Sequence, residues 1–181
     1  SKYSEASKAF YDSVFHFPKP TIAMIQGYCI GGGMGLAVAC DIRLCEDKSR
    51  FAIPAAKLGL GYGYEGIRRL ANLVGPAMVK EIFFTARQFS AGEAQEMGLV
   101  NRVLPPHMLA PYVDDYAKRI SENAPMTMES VKAIVQAIQD DESARDLDAL
   151  DAMVKACFAS QDYIEGRRAF MEKRKPNFTG S

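Results

Sequence analysis

Three consecutive glycines, Gly31, Gly32 and Gly33, are the residues here whose type and spacing could do chemistry. They follow a short uncharged apolar run, residues 22–25, which stops at Gly27, and they precede the apolar stretch 34–40. Strand, glycine turn and helix start leave backbone N–H groups free at the helix N-terminus, with the positive end of the dipole behind them. Glycines let a carbonyl approach without meeting a Cβ. Such a turn can bind a phosphate or hold a carbonyl oxygen whose charge grows during reaction. It can also serve only close helix–sheet packing. The lysine and Ser/Thr of a phosphate loop are absent. A second cluster, Gly61-x-Gly63-x-x-Gly66, matches the dinucleotide fingerprint in letters alone. No clean strand precedes it and no acidic strand end follows, so residues 54–66 read as a glycine- and tyrosine-rich loop walling a pocket.

The elements that must position these residues follow from periodicity. Tyr3, Ala6, Phe10, Val14 and Phe17 predict an amphipathic helix, ended by Pro18 and Pro20. Residues 22–25 read as a fully buried strand. Two short strands, 42–45 and 50–53, flank a polar turn. From Ile67 the pattern is mostly helical. Residues 77–84 form one apolar-faced segment, and Ser90 with Glu93 makes a capping box for a short helix closed by Gly98. A strand at 99–104 is stopped by Pro105 and Pro106, and helices follow over 109–123, 126–138, 147–159 and 162–173. The chain is therefore expected to be α/β with a helical C-terminal half.

Composition bounds the function. With 181 residues, one sizeable core is the default. Hydrophobic residues at 48% and charged residues at 24% fit an ordinary globular domain. Lys+Arg and Asp+Glu balance at 22 each, so no field favours nucleic acid or an acidic membrane. No apolar run reaches spanning length, and no signal-peptide pattern opens the chain. Cys29, Cys40, Cys45 and Cys157 have no CxxC spacing, which fits reduced thiols and a cytoplasmic location. With His16 and His107 the only histidines, no metal site is expected.

Residues 27–43, G-Y-C-I-G-G-G-M-G-L-A-V-A-C-D-I-R, resemble the signature of the crotonase (enoyl-CoA hydratase/isomerase) superfamily, N-G-x-x-x-G-G-G-x-E-L-A-x-x-C-D. The likeness continues through F-A-I-P-A-A-K-L-G-L, L-V-G-P-A, A-G-E-A-Q-E-M-G-L-V-N-R-V and E-G-R-R-A-F-M-E-K-R-K-P-N-F. It implies a crotonase-like (ClpP/crotonase) fold of repeated β-β-α units over residues 1–104. Residues 105–181 would be a helical region for trimer assembly and CoA contact. It also implies that about a third of a typical chain, with an A-x-S-x-G-x-D-type segment, precedes Ser1.

The resemblance further implies an acyl-CoA thioester substrate, with coenzyme A as part of it and no separate cofactor. The partner would be further copies of the chain, in a homotrimer or a dimer of trimers. The thioester carbonyl would sit on the Gly32 N–H, with Gly31 and Gly33 beside it. A second donor would come from the preceding segment. Hydratases of the family carry glutamates at two positions that hold Gly35 and Ala55 here, so ordinary hydration is not expected. Isomerase- or decarboxylase-type chemistry is the alternative among enzymes, and an acyl-CoA-binding or oligomer-forming homologue without turnover is the alternative outside them. Glu65 lies near where some members place an acid, flanked by Tyr62 and Tyr64, although it could equally favour the N-terminus of a following helix. Ala55 and Leu58 would border the substrate. Phe170 and Lys173 match positions along the CoA adenine and phosphate, or form a solvated basic helix end. Asp41 reads as a packing or capping residue.

Overall fold

The computed structural model describes residues 2–181, with side chains from Glu5 onward, so the side chain of Tyr3 lies outside the described residues. The chain divides into two compact units. The first comprises Ser1–Phe17 and Thr21–Asp115, and the second Pro18–Pro20 and Tyr116–Ser181.

The first unit opens with helix α1, Lys2–Phe15. Strands β1 (Ile22–Ile25) and β2 (Tyr28–Ile30) then lead into helix α2 (Gly32–Ala39). Strands β3 (Ile42–Glu46) and β4 (Arg50–Ala52) lead in the same order into helix α3 (Ala55–Leu58). Two ββα repeats are thus laid end to end, each giving one strand to each of two sheets. The first sheet is parallel throughout in the order β1–β3–β6, where β6 is Arg102–Leu104. The second has the order β2–β4–β5, with β2 and β4 parallel and β5 (Phe89–Ser90) antiparallel to β4. Helices α4 (Tyr64–Val74), α5 (Pro76–Thr85) and α6 (Ala91–Glu96) complete the layer. Phe51, Phe89, Met34, Leu44, Leu70 and Cys45 are among its largest fully buried side chains.

Polar side chains close the joints. Thr21 and Asp41 exchange bonds across the starts of β1 and β3: the Asp41 carboxylate accepts from Thr21 N at 2.8 Å, and Asp41 N donates to the Thr21 hydroxyl at 2.9 Å. Asp41 is therefore a clamp between strands, in keeping with the packing role expected of it. Buried Arg43 donates to the carbonyls of Cys40 at 2.6 Å, Ala37 at 3.2 Å and Leu99 at 2.7 Å. A guanidinium has donors enough to serve the C-terminus of α2 and the approach to β6 together.

Several expectations need correction. Strand β1 is not fully buried: Met24 is 46% exposed while Ile25, on the opposite face, is buried, so only one face of the strand is covered at its end among the described residues. The two strands expected at 42–45 and 50–53 are present as β3 and β4, and they enter different sheets. The loop expected over 54–66 is shorter: α3 occupies Ala55–Leu58 and α4 starts at Tyr64, which leaves residues 59–63 as the loop. Only Gly59, at φ +64°, is held in the left-handed region there. The strand expected from Leu99 begins at Arg102, because the N–H groups of Leu99 and Val100 both turn back to the Ala94 carbonyl. Strands β2 and β5 were not foreseen.

Helix α7 (Pro106–Ser121) begins in the first unit and ends in the second. The second unit continues with α8 (Pro125–Gln139), a 3-10 turn at Glu142–Ala144, α9 (Leu147–Phe158) and α10 (Gln161–Met171). Buried Asp162 straps down the chain end, accepting from Thr179 N and Gly180 N at 2.8 Å each. A cavity of about 590 Å³ lies among these helices, lined by Ile134, Val154, Phe158, Phe170 and Phe178. No helix of the described residues is long and apolar enough to cross a membrane.

Candidate active site

The glycine triplet forms the strand-to-helix turn its spacing predicts. Gly31 is the residue before α2, at φ +58° and ψ −117°, a conformation that L side chains adopt rarely. Its N–H donates to the Ala52 carbonyl at 3.0 Å, which ties the turn to β4, and its carbonyl accepts from Gly35 N at 3.0 Å. Gly32 and Gly33 begin the helix and are exposed. Their N–H groups belong to the first turn and have no acceptor within the helix. Among the described residues no acceptor is placed on the Gly32 N–H. The turn thus offers neutral, outward-facing donors at a positive helix end.

One tyrosine, Tyr11, touches the turn, and a second, Tyr62, interacts with Tyr11. Tyr11 of α1 donates its hydroxyl to the Gly32 carbonyl at 3.2 Å. A Cβ at Gly35 would come 3.1 Å from Cζ of the same ring. Tyr62 packs over Gly66, where a Cβ would meet its ring at 2.8 Å, and edge-on to Phe83 at 4.9 Å. Burial raises the Tyr62 pKa above the ordinary phenol value, and the neighbouring Tyr11 adds to the rise. Tyr62 is therefore a neutral phenol at physiological pH, able to donate a proton and not to abstract one.

Glu65 sits in the first turn of α4, its carboxylate 2.7 Å from Arg68 one turn on. Both readings of the residue meet there: the helix start holds it, and it is the acid nearest Tyr62 and Tyr64 in the chain. Tyr64 is mostly exposed, with the Arg68 guanidinium 6.0 Å from its ring centroid. Ala55 is buried in the core at the start of α3, whereas Leu58 at the end of that helix is exposed. Phe170 and Lys173 lie in the second unit, Phe170 83% exposed beside the cavity and Lys173 exposed at φ +53°. Burial pushes the thiols of Cys29 and Cys45 up to about 11 and about 12, so neither is a nucleophile at neutral pH. Among the described residues no three His, Cys, Asp or Glu side chains are grouped as metal ligands.

Sequence reasoning passed over Tyr11, Asp12 and Arg69. Arg69 is 8% exposed, bonds Asp12 at 2.6 Å and lies 4.1 Å from the ring centroid of Phe15. One signal was available: Tyr11 and Phe15 are an aromatic pair four residues apart, on a stripe distinct from the apolar one.

Comparison with known proteins places this geometry. The enoyl-CoA hydratase/isomerase family model matches residues 1–181. The chain is 41% identical over 162 residues to crotonyl-CoA hydratase of Syntrophomonas wolfei, covering 88% of this chain and 62% of that protein. It is 36% identical over 171 residues to carnitinyl-CoA dehydratase of Salmonella arizonae, covering 92% of this chain and 66% of that protein. The chain therefore spans less than two thirds of the length of these relatives. Among solved structures, enoyl-CoA hydratase from Bacillus anthracis superposes with a TM-score of 0.86 at 34% identity, covering 97% of this chain and 68% of that one. The ββα repeats are those of the crotonase fold, and the chain belongs to the enoyl-CoA hydratase/isomerase family.

Proposed function

We propose that this chain carries the thioester-activating part of an enzyme that acts on acyl-CoA, and that its chemistry is proton relocation or decarboxylation rather than hydration. The observation that carries the reading is the exposed, acceptor-free Gly32 N–H at the start of α2. A thioester carbonyl placed there gains a donor whose interaction strengthens as the oxygen becomes an enolate. One such donor contributes about 3 kcal/mol in comparable acyl-transfer sites. Crotonyl-CoA and carnitinyl-CoA in the names of the relatives favour a CoA ester as the molecule bound.

The side chains argue against water addition. Syn hydration requires one group to hold and deprotonate water and another to protonate carbon. Gly35 and Ala55 can do neither, the Tyr11 ring lies against Gly35, and Ala55 is buried. What remains near the turn is a neutral phenol at Tyr62, with Glu65 held by Arg68 as the candidate proton carrier. Gly31, Gly33, Leu58 and Tyr64 would border the acyl group, and Phe170 and Lys173 the CoA nucleotide. CoA is part of the substrate, so the reading requires no further cofactor. Subunits would assemble as trimers or pairs of trimers. The four free cysteines, two of them buried, suit the cytoplasm.

The test is to give enoyl-CoA to the intact protein and follow the conjugated thioester absorbance and the products. Double-bond migration without hydroxyacyl-CoA is the expected outcome, and Glu65→Gln should slow it by roughly 10²-fold or more. Hydration at rates usual for the family would overturn the argument from residues 35 and 55. A second reading, an acyl-CoA-binding homologue without turnover, draws on the Glu65–Arg68 pair at 2.7 Å, which keeps the one candidate carboxylate occupied. Tight binding with no product from any enoyl- or malonyl-type thioester would favour it.

A further inference from the structure

We propose that Tyr11 is a positioning residue for the Gly32 donor, fixing the first turn of α2 from a neighbouring helix that the Asp12–Arg69 pair holds in place. The inference rests on the reading of the turn as a thioester site and adds to it the group that sets the donor's direction.

Helix α2 starts where helices are weakest. Gly31 has no side chain to cap it, and Gly32 and Gly33 each cost about 1 kcal/mol relative to alanine. Left to themselves, two glycines in a first turn spread over many backbone angles. A hydrogen bond weakens steeply once its angle departs from linear, so a wandering N–H is a poor oxyanion donor. The Gly31 carbonyl shares a planar peptide unit with the Gly32 N–H and accepts from Gly35 N at 3.0 Å, so whatever steadies Gly35 also steadies the donor.

Tyr11 contacts that turn twice. Its hydroxyl bonds the Gly32 carbonyl at 3.2 Å, an oxygen that also faces the N–H four residues on in the helix ladder. Its ring lies against Gly35, one turn further, where a Cβ would meet Cζ at 3.1 Å and Cε1 at 3.4 Å. The ring therefore spans the first turn of α2 from Gly32 to Gly35.

Helix α1 is in turn fixed. Asp12, next to Tyr11, bonds buried Arg69 of α4 at 2.6 Å. Phe15, one turn on from Tyr11, lies under the same guanidinium at 4.1 Å. A single arginine thus grips α1 on the residue after the tyrosine and again one turn beyond it.

The experiment uses the intact protein and an aromatic α,β-unsaturated acyl-CoA, whose absorbance moves to the red when its carbonyl is polarised. Tyr11→Phe keeps the ring and removes only the hydroxyl. The bound ligand is expected to shift less in this variant than in the wild type. Amide exchange over residues 31–36 is expected to be roughly five- to tenfold faster, the loss of one neutral hydrogen bond. Asp12→Asn leaves the hydroxyl present and releases α1, and should move both readouts in the same direction. A full red shift with unchanged exchange in Tyr11→Phe overturns the positioning role, and wild-type behaviour of Asp12→Asn overturns the part given to Arg69. A wild-type protein that binds the ligand without any red shift would overturn the thioester reading instead. The exchange rates then decide the Tyr11 role alone: acceleration upholds it and no change defeats it.

Discussion

Gly35 and Ala55 carry no atom that can hold or move a proton, and Tyr11 shows that the first of these positions is filled as well as empty of chemistry. A side chain introduced at residue 35 would press its Cβ to 3.1 Å from the Tyr11 ring, which must then give by a few tenths of an ångström although it is tethered at its hydroxyl and at the next residue of its helix. Gly35→Glu should therefore lower stability by about 1–3 kcal/mol, the usual cost of overpacking, and Tyr11→Ala in the same protein should recover part of that loss. Denaturant unfolding of the two single variants and the double variant measures the coupling, and strictly additive effects would contradict the contact. At this scale the sequence was half legible. The Gly31–Gly33 turn could be read because glycine's freedom is a property of the residue. Tyr11 was passed over: its pairing with Phe15 marks a second stripe on α1, but which helix that stripe meets depends on packing that no local spacing encodes. Glu65 was read as both a helix-start acid and a proton carrier, and its pairing with Arg68 keeps both roles open to the Glu65→Gln assay.

At the scale of elements, the capping box of α6 is the feature most completely written in the chain. Ser90 Oγ accepts from Glu93 N at 3.1 Å, and the Glu93 carboxylate accepts from Ser90 N at 2.8 Å. Four consecutive residues suffice to form it, which is why it could be found without knowing the fold. Ser90→Ala should cost about 1 kcal/mol, seen as a lower denaturation midpoint with an unchanged slope. Glu93 also bonds Arg87, and these contacts, the guanidinium first, hold its pKa at about 2 against an ordinary 4.5. A carboxyl whose pKa is depressed by folding stabilises the fold above its unfolded value, and the contribution is lost as pH falls toward the folded one. The difference in melting temperature between wild type and Glu93→Gln should hold steady above about pH 5 and shrink steadily toward about pH 2. A difference that grew on acidification would contradict the bond to Arg87. Strands β2 and β5, at three and two residues, left too little periodicity to be seen. The 54–66 stretch misled because glycine and tyrosine suggest loop, whereas Ala55 to Leu58 close a short helix ended by left-handed Gly59.

For the whole molecule, the exposed apolar side chains of the second unit set an expectation. Phe158, Phe170, Met171, Ile138 and Val131 are all more than half exposed. Apolar groups of this size in neighbouring helices mark a surface that association covers. Light scattering at micromolar concentration should return three or six times the subunit mass, and a monomer would count against trimer assembly. The α/β character and the helical C-terminal half could be read from periodicity, but the assignment of successive strands to alternate sheets could not, since pairing partners are distant in the chain. That alternation has a consequence in time. Arg43, in β3, reaches its Leu99 and Asn101 partners across 56 and 58 residues. A polypeptide leaving the ribosome has made β1, β3 and the buried guanidinium well before those carbonyl and amide groups exist. Until residues 99–104 emerge, the first sheet lacks its third strand and an arginine destined for the interior must stay in water. The order of synthesis therefore delays closure of this core until β6 arrives, and a nascent chain halted before Leu99 should bind chaperones or be cut by protease more readily than one that extends past Asp115, where the first unit ends.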